Sequence, residues 1–174
     1  MDALLQKLHD RIEDSTESLF GDAWMIAQEG RWNCSQIVEH LGRSYGTTAK
    51  LLENALDCGQ RPAMEKPTWK QKLGQLLICH VGYFPGGYKA PEIVQPTGLM
   101  GHAARDRALS SLERMAAAID AAELTWGPGP IAPHFLLGAM TAEEWRLFHY
   151  CHGRHHLRQL HTRAAYALKK VKKG

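Results

Sequence analysis

The segment FHYCHGRHHLRQLH, Phe148 to His161, holds five of the ten histidines of this 174-residue chain: His149, His152, His155, His156 and His161. A helix advances about 100° per residue, so His152 and His156, at i and i+4, project about 40° apart, the spacing at which two imidazoles can share one metal ion. His149 and Gln159 fall within about 60° of His152 on that face, together with Trp145 and Phe148, so the stripe carries large aromatics and points inward. His155 lies at its margin, and His161 is turned away. The same spacing also occurs in surface helices and hydrogen-bonded cores, and two imidazoles need a ligand from another helix to make a stable open site. His40, in WNCSQIVEHLGRSYG, is the best donor. It follows Ile37 by three residues and precedes Leu41 by one, at the edge of an apolar stripe, and Gly42 and Gly46 leave room there or allow close helix approach.

Three neutral imidazoles with open coordination positions suit a divalent ion, zinc or nickel first and iron or manganese as alternatives. Such an ion can polarise a bound water or hold a thiol as thiolate, so hydrolysis and thiol transfer are both accessible. Hydrolysis needs a nearby base. Glu39 is the closest carboxylate in sequence, but it projects about 100° from His40. A third reading is a non-catalytic metal-binding or stress-associated bundle, dimeric through exposed helix faces.

The elements that must position these residues are delimited by proline. All eight prolines lie in three stretches, Pro62 to Pro67, Pro85 to Pro96 and Pro128 to Pro133, and proline removes a donor and clashes with the preceding helical turn. Four long helices remain. The first spans about residues 2–28, with Leu5, Leu8, Ile12, Leu19, Ala23 and Ile26 at helical spacing and Gly30 as its stop. The second spans about 34–58, capped by Asn33 and ended by Gly59. The third spans about 99–123, through Leu109, Leu112, Ala116 and Ile119. The fourth opens on a Thr141–Glu144 capping box and runs to about 171. A shorter helix covers Trp69 to His80. With no period-two alternation between turns, no sheet is expected. The fold class is all-α, a single-domain four-helix up-down bundle whose proline-rich crossings, VGYFPGGYKAPEIVQPTG and TWGPGPIAP, are candidate lids.

Composition narrows the function classes. Hydrophobic content of 44% and charged content of 22% fit a packed globular protein, and a chain of this length buries roughly 70% of its unfolded surface. The formal charge of +3 includes four lysines in the terminal KKVKKG, so residues 1–168 carry 3 less 4, or −1. That leaves no basic patch on the body for nucleic acid. No apolar run approaches the ~20 residues of a membrane span and the N-terminus lacks a secretory layout, so a cytoplasmic protein without membrane partners is expected. Cys34, Cys58, Cys79 and Cys151 form no C-x-x-C pair and read as reduced, mostly buried thiols. No dinucleotide or phosphate-loop motif is present.

Trp32, a polar cap and QIVEHL, together with HGRHHLRQ near the C-terminus, resemble the DinB/YfiT-like metalloenzyme superfamily. The resemblance covers most of the chain. It maps the first ligand onto His40 and the other two onto His152 and His156, with Gln159 as the matching glutamine. APHFLLGAMTAEEWRLFHYCHGRHHLRQ is similar to an uncharacterised subfamily in which a histidine, a glycine and a T-x-E-E-W helix start precede the ligands. There the loop reads histidine then proline, whereas here Pro133 precedes His134 and Phe135 follows. The resemblance implies a four-helix bundle with a three-histidine site and transferase or isomerase chemistry with a low-molecular-weight thiol, as in bacillithiol transferases and mycothiol-dependent maleylpyruvate isomerase. Gln159, His149 and His155 would then orient ligand rings or meet substrate, and Arg43, Arg154 and Arg158 could meet the thiol's carboxylates.

Overall fold

A computed structural model describes residues 1–84 and 89–171. Part of the first proline-rich crossing, Pro85 to Tyr88, and the end of the basic tail, Lys172 to Gly174, lie outside the described residues. Among the described residues there are five α-helices and one two-stranded antiparallel sheet.

Helix α1 spans Ala3–Glu17 and is capped by the Asp2 carboxylate, which accepts from the Leu4 amide at 2.8 Å. The first helix is therefore shorter than the 2–28 its apolar spacing suggests. Thr16 turns its hydroxyl back onto the carbonyls of Ile12 (2.7 Å) and Glu13 (3.0 Å), and Gly21, at φ 51°, leaves the right-handed region. A 3-10 turn, Gly21–Trp24, still buries Ala23 and Trp24, and the Trp24 indole donates to the Leu19 carbonyl at 3.0 Å. Periodicity reports which residues are buried, and it persisted across this break in the helix.

Helix α2, Cys34–Asp57, begins at Asn33, which exchanges hydrogen bonds with Gln36 in a capping box (2.8 and 3.0 Å). It ends at Asp57, two residues before Gly59, at φ 63°. The short helix α3, Trp69–Gln75, widens into a π turn over Leu76–Val81. Helix α4 spans Gly101–Trp126, and α5 spans Ala142–Val171. At the start of α5 the Thr141 hydroxyl accepts from the Glu144 amide at 3.2 Å, and the Glu144 carboxylate accepts from the Thr141 amide at 2.7 Å.

The second crossing corrects the expectation of no sheet. Strand β1, Pro130–His134, pairs with β2, Gly138–Thr141, with an irregularity between Pro130 and Ala132. Strands this short show too little alternation to be seen, and two prolines in β1 suppress the usual signal.

Paired contacts fix helix directions. Ser35 meets Gly101, Gly42 meets Ala108 and Gly46 meets Ser111, so α2 and α4 run the same way. Leu8 meets Gly153 and Ser15 meets His161, so α1 and α5 also share a direction, while His40 against His152 and Thr48 against His149 set α2 opposite to α5. The order is up, down, down, up. This corrects the alternating up-down order that periodicity alone suggests, because the long connection between α2 and α4 carries the chain back before α4 begins. A Cβ on Gly42 would lie 3.0 Å from the Ala108 Cα, so the two helices touch backbone to backbone there. Leu5, Leu8, Ile12, Ile37, Leu41, Leu112, Ile119 and Leu160 meet in one core shared by α1, α2, α4 and α5.

Candidate metal centre

The opposed directions of α2 and α5 carry His40 to His152 and His156. One ring nitrogen from each lies within 4.8 Å of the others, and all three side chains are buried. The Nε2 atoms of His40 and His152 are 3.3 Å apart. Two nitrogens each about 2.1 Å from a tetrahedral ion would be separated by about 3.4 Å, so this spacing suits a shared divalent cation. It equally suits an N–H···N hydrogen bond between the rings of the metal-free protein.

The outer nitrogens define tautomers. His40 Nδ1–H donates to the Val94 carbonyl at 2.8 Å, which leaves its Nε2 lone pair directed at the cluster. His156 Nδ1–H donates to Gln159 Oε1 at 3.0 Å, and the Gln159 amide donates to His155 Nε2, also at 3.0 Å. His152 Nδ1 is buried and has no hydrogen-bond partner among the described residues.

Burial sets the charge state. Desolvation holds His40 below the usual imidazole range despite its bond to Val94. It lowers His156 to about 3, with the nearby His40 and His155 adding to the effect, and lowers His152 well below the ordinary value, helped by His156 and His40. All three are neutral at pH 7, the form that ligates metal. The donor set therefore fits a divalent ion.

Two half-buried aromatics wall the cluster. The Trp32 ring lies 5.0 Å from that of His40 and stacks at 6.5 Å on that of His156, while Phe84 lies 5.7 Å from His152 and 5.3 Å from His155. An open cleft of about 280 Å³ adjoins His155 and Gln159, with Arg158, Thr162 and Arg163. In the sequence Trp32 is only a landmark of the second-helix pattern, and Phe84 and Val94 belong to the crossing expected as a lid, with no individual role. Their signal is tertiary, since each arrives from a loop.

The other candidate residues fall into place differently. Gln159 and His155 back His156. His149, 1% exposed, does not touch a ligand ring by hydrogen bond, and its Nε2 lies 3.0 Å from the Thr48 hydroxyl one layer away. Among the described residues no hydrogen bond supports the expected role of His149 in orienting the other histidines. His134 is also set apart: its Nδ1 accepts from the amides of Leu136 and Leu137, both at 3.3 Å, inside the β1–β2 turn. Glu39 is buried and turned away from the imidazoles, accepting four hydrogen bonds from the amides of Thr97, Gly98 and Leu99 and the Thr97 hydroxyl (2.8–3.0 Å). Burial alone would raise its pKa, but these donors outweigh that effect and hold the carboxylate below its usual range. Arg43 joins this clamp through the Ile93 carbonyl and Thr97, Arg154 lies over the Tyr150 ring, and Arg158 is exposed. His161 bonds Ser15 at 2.9 Å, on the far side of α5.

Because Gln159 aims the His156 ring, Gln159→Ala should weaken metal affinity about 10- to 100-fold while leaving the helix intact. Competition with a chromogenic chelator measures this. Unchanged affinity would mean that the glutamine does not hold the ligand.

Residues 88–163 match the family described as "Protein of unknown function (DUF1569)". The matched region contains His152, His156, His155 and Gln159 but not α2, which supplies His40. No curated protein and no solved structure matches the chain.

Proposed function

We propose that this protein is a metal-dependent enzyme of the DinB/YfiT-like type, built on a four-helix bundle, with His40, His152 and His156 holding one divalent ion. The observation that carries the reading is the convergence of three buried, neutral imidazoles from two helices, their nitrogens within 4.8 Å of one another. Zinc or nickel suits the donor set best, with iron or manganese as alternatives. The reaction proposed is transferase or isomerase chemistry with a low-molecular-weight thiol, because a bound ion supplies Lewis acidity and keeps a thiol deprotonated near neutral pH.

The chain's own residues would do the rest. Val94 and Gln159 hold His40 and His156 in the ligating tautomer, and Trp32 and Phe84 keep water from the rings. His155, hydrogen-bonded to Gln159 and facing the cleft, is placed to take or return a proton at Nε2 once that bond opens. Hydrolysis is the weaker reading, since Glu39 is committed to the residue 97–99 loop.

The test is thiol consumption. Zinc- and nickel-loaded protein is offered monochlorobimane with cysteine, glutathione, bacillithiol and mycothiol in turn. At least one thiol should be consumed faster than with the metal-free protein or His152→Ala. No metal-dependent rate with any of them would remove the thiol-transfer reading.

A further inference from the structure

Helix α3 is inverted. Its polar face is turned into the protein: Gln75 is buried, with its amide donating to the carbonyls of Leu137 (2.9 Å) and Ala139 (3.0 Å), and Gln71 covers Gly138. Its apolar face is turned out. Trp69 is 71% exposed, Leu73 47%, Leu76 52% and, in the π turn, Val81 66%. Trp69, Leu73 and Leu76 project within about 60° of one another, with Lys70 on one side of that stripe and Lys72 on the other. The β1–β2 turn that the glutamines grip adds exposed Phe135 and Leu136.

An exposed apolar surface of this extent marks an interaction site, and its charge indicates the partner. Over α3 and its π turn, Trp69–Val81, the side chains of Lys70 and Lys72 meet no Asp or Glu of the same segment. A second copy docked face to face would set these lysines against their own equivalents. An anionic surface would instead meet them with opposite charge while the tryptophan and leucines leave water. Lysines flanking a stripe suit this geometry, because their stems lie along apolar material while the ammonium groups reach outward, and the Lys70 ammonium already lies 5.7 Å from the Trp69 ring centroid.

We propose that α3, its π turn and the β1–β2 turn form a docking face for an anionic lipid surface, on which the protein lies without spanning it. This is independent of the metal reading. The face is continuous with the histidine cluster through Phe84, which follows the π turn and packs on His152 and His155.

Co-sedimentation of the full-length protein with vesicles tests it. The protein should bind phosphatidylglycerol vesicles, bind phosphatidylcholine vesicles far more weakly, and dissociate as salt is raised. Lys70→Gln with Lys72→Gln should lower partitioning about thirtyfold, and Lys50→Gln, an exposed lysine on α2, should leave it unchanged. Trp69→Gln with Leu73→Gln should abolish binding while circular dichroism stays that of the wild type, because both side chains face solvent. Failure to bind anionic vesicles overturns the proposal. So does a lipid-free dimer that this double variant converts to monomer, since the face would then belong to a second copy.

Discussion

On the proposed three-histidine site, replacing any one of His40, His152 or His156 by alanine should abolish metal binding, and His161→Ala should not. Metal binding at a site of this kind contributes on the order of 10 kcal/mol, and two imidazoles retain little of that, so affinity should fall by orders of magnitude. His161 sits on the same helix but bonds Ser15 at 2.9 Å, outside the cluster, and so controls for histidine removal as such. The fold should survive each change, because the core of α1, α2, α4 and α5 is built from aliphatic side chains independent of the imidazoles. Metal-loaded wild type should exceed chelator-treated wild type in stability by a linkage term of about 4 kcal/mol when free metal stands a thousandfold above Kd. His152→Ala should show no such difference. Elemental analysis of untagged protein, with thermal melts before and after chelation, measures both quantities. Full metal retention after His40→Ala, or equal loss at position 161, would dismiss the three-ligand site.

Acid should destabilise the metal-free protein from about pH 6.5 downward, before its carboxylates begin to protonate. Desolvation holds His134 at about 4 in the folded state and His149 at about 3, the latter helped by the nearby His134, and His156 also stands at about 3. The unfolded chain takes up these protons near pH 6.5. A folded pKa below the unfolded one means that the stabilisation is complete above about pH 6.5 and is lost as pH falls toward the folded values. Each group costs about 1.4 kcal/mol per pH unit across that window, so these three together cost about 4. His40 and His152, shifted in the same direction, steepen the loss. Typical domains hold about 5–15 kcal/mol, so unfolding should come within about two to three pH units below 6.5. Glu39 acts later, since a carboxylate with a depressed pKa loses its contribution only below its own unfolded value. Urea unfolding at a series of pH values provides the measurement. Stability unchanged between pH 7 and pH 5 would mean that these imidazoles are hydrated or charged in the folded protein.

Much of the site was legible because it depends on local geometry. The i, i+4 spacing of His152 and His156 places both rings on one face of any helix, Trp145 and Phe148 before them mark that face as inward, and Gln159 follows on the same face. The caps of α2 and α5 were equally readable, since Asn33 with Gln36 and Thr141 with Glu144 close within one turn. His40 could be nominated from its place beside Ile37 and Leu41, but its distance from His152 could not, because that depends on α2 and α5 running in opposite directions. The up-down-down-up order was likewise beyond local pattern, as periodicity carries no information about the course of a long connection. Nor could residue spacing reveal that Val94 aims His40, that residues 97–99 occupy Glu39, or that α3 turns its glutamines inward, because each depends on a loop or turn remote in sequence. Sequence by itself determined the residues able to ligate and the helix faces that carry them. Tertiary structure decided their convergence, their tautomers and their neutrality, because distance, hydrogen-bond partner and desolvation are properties of what packs against a helix.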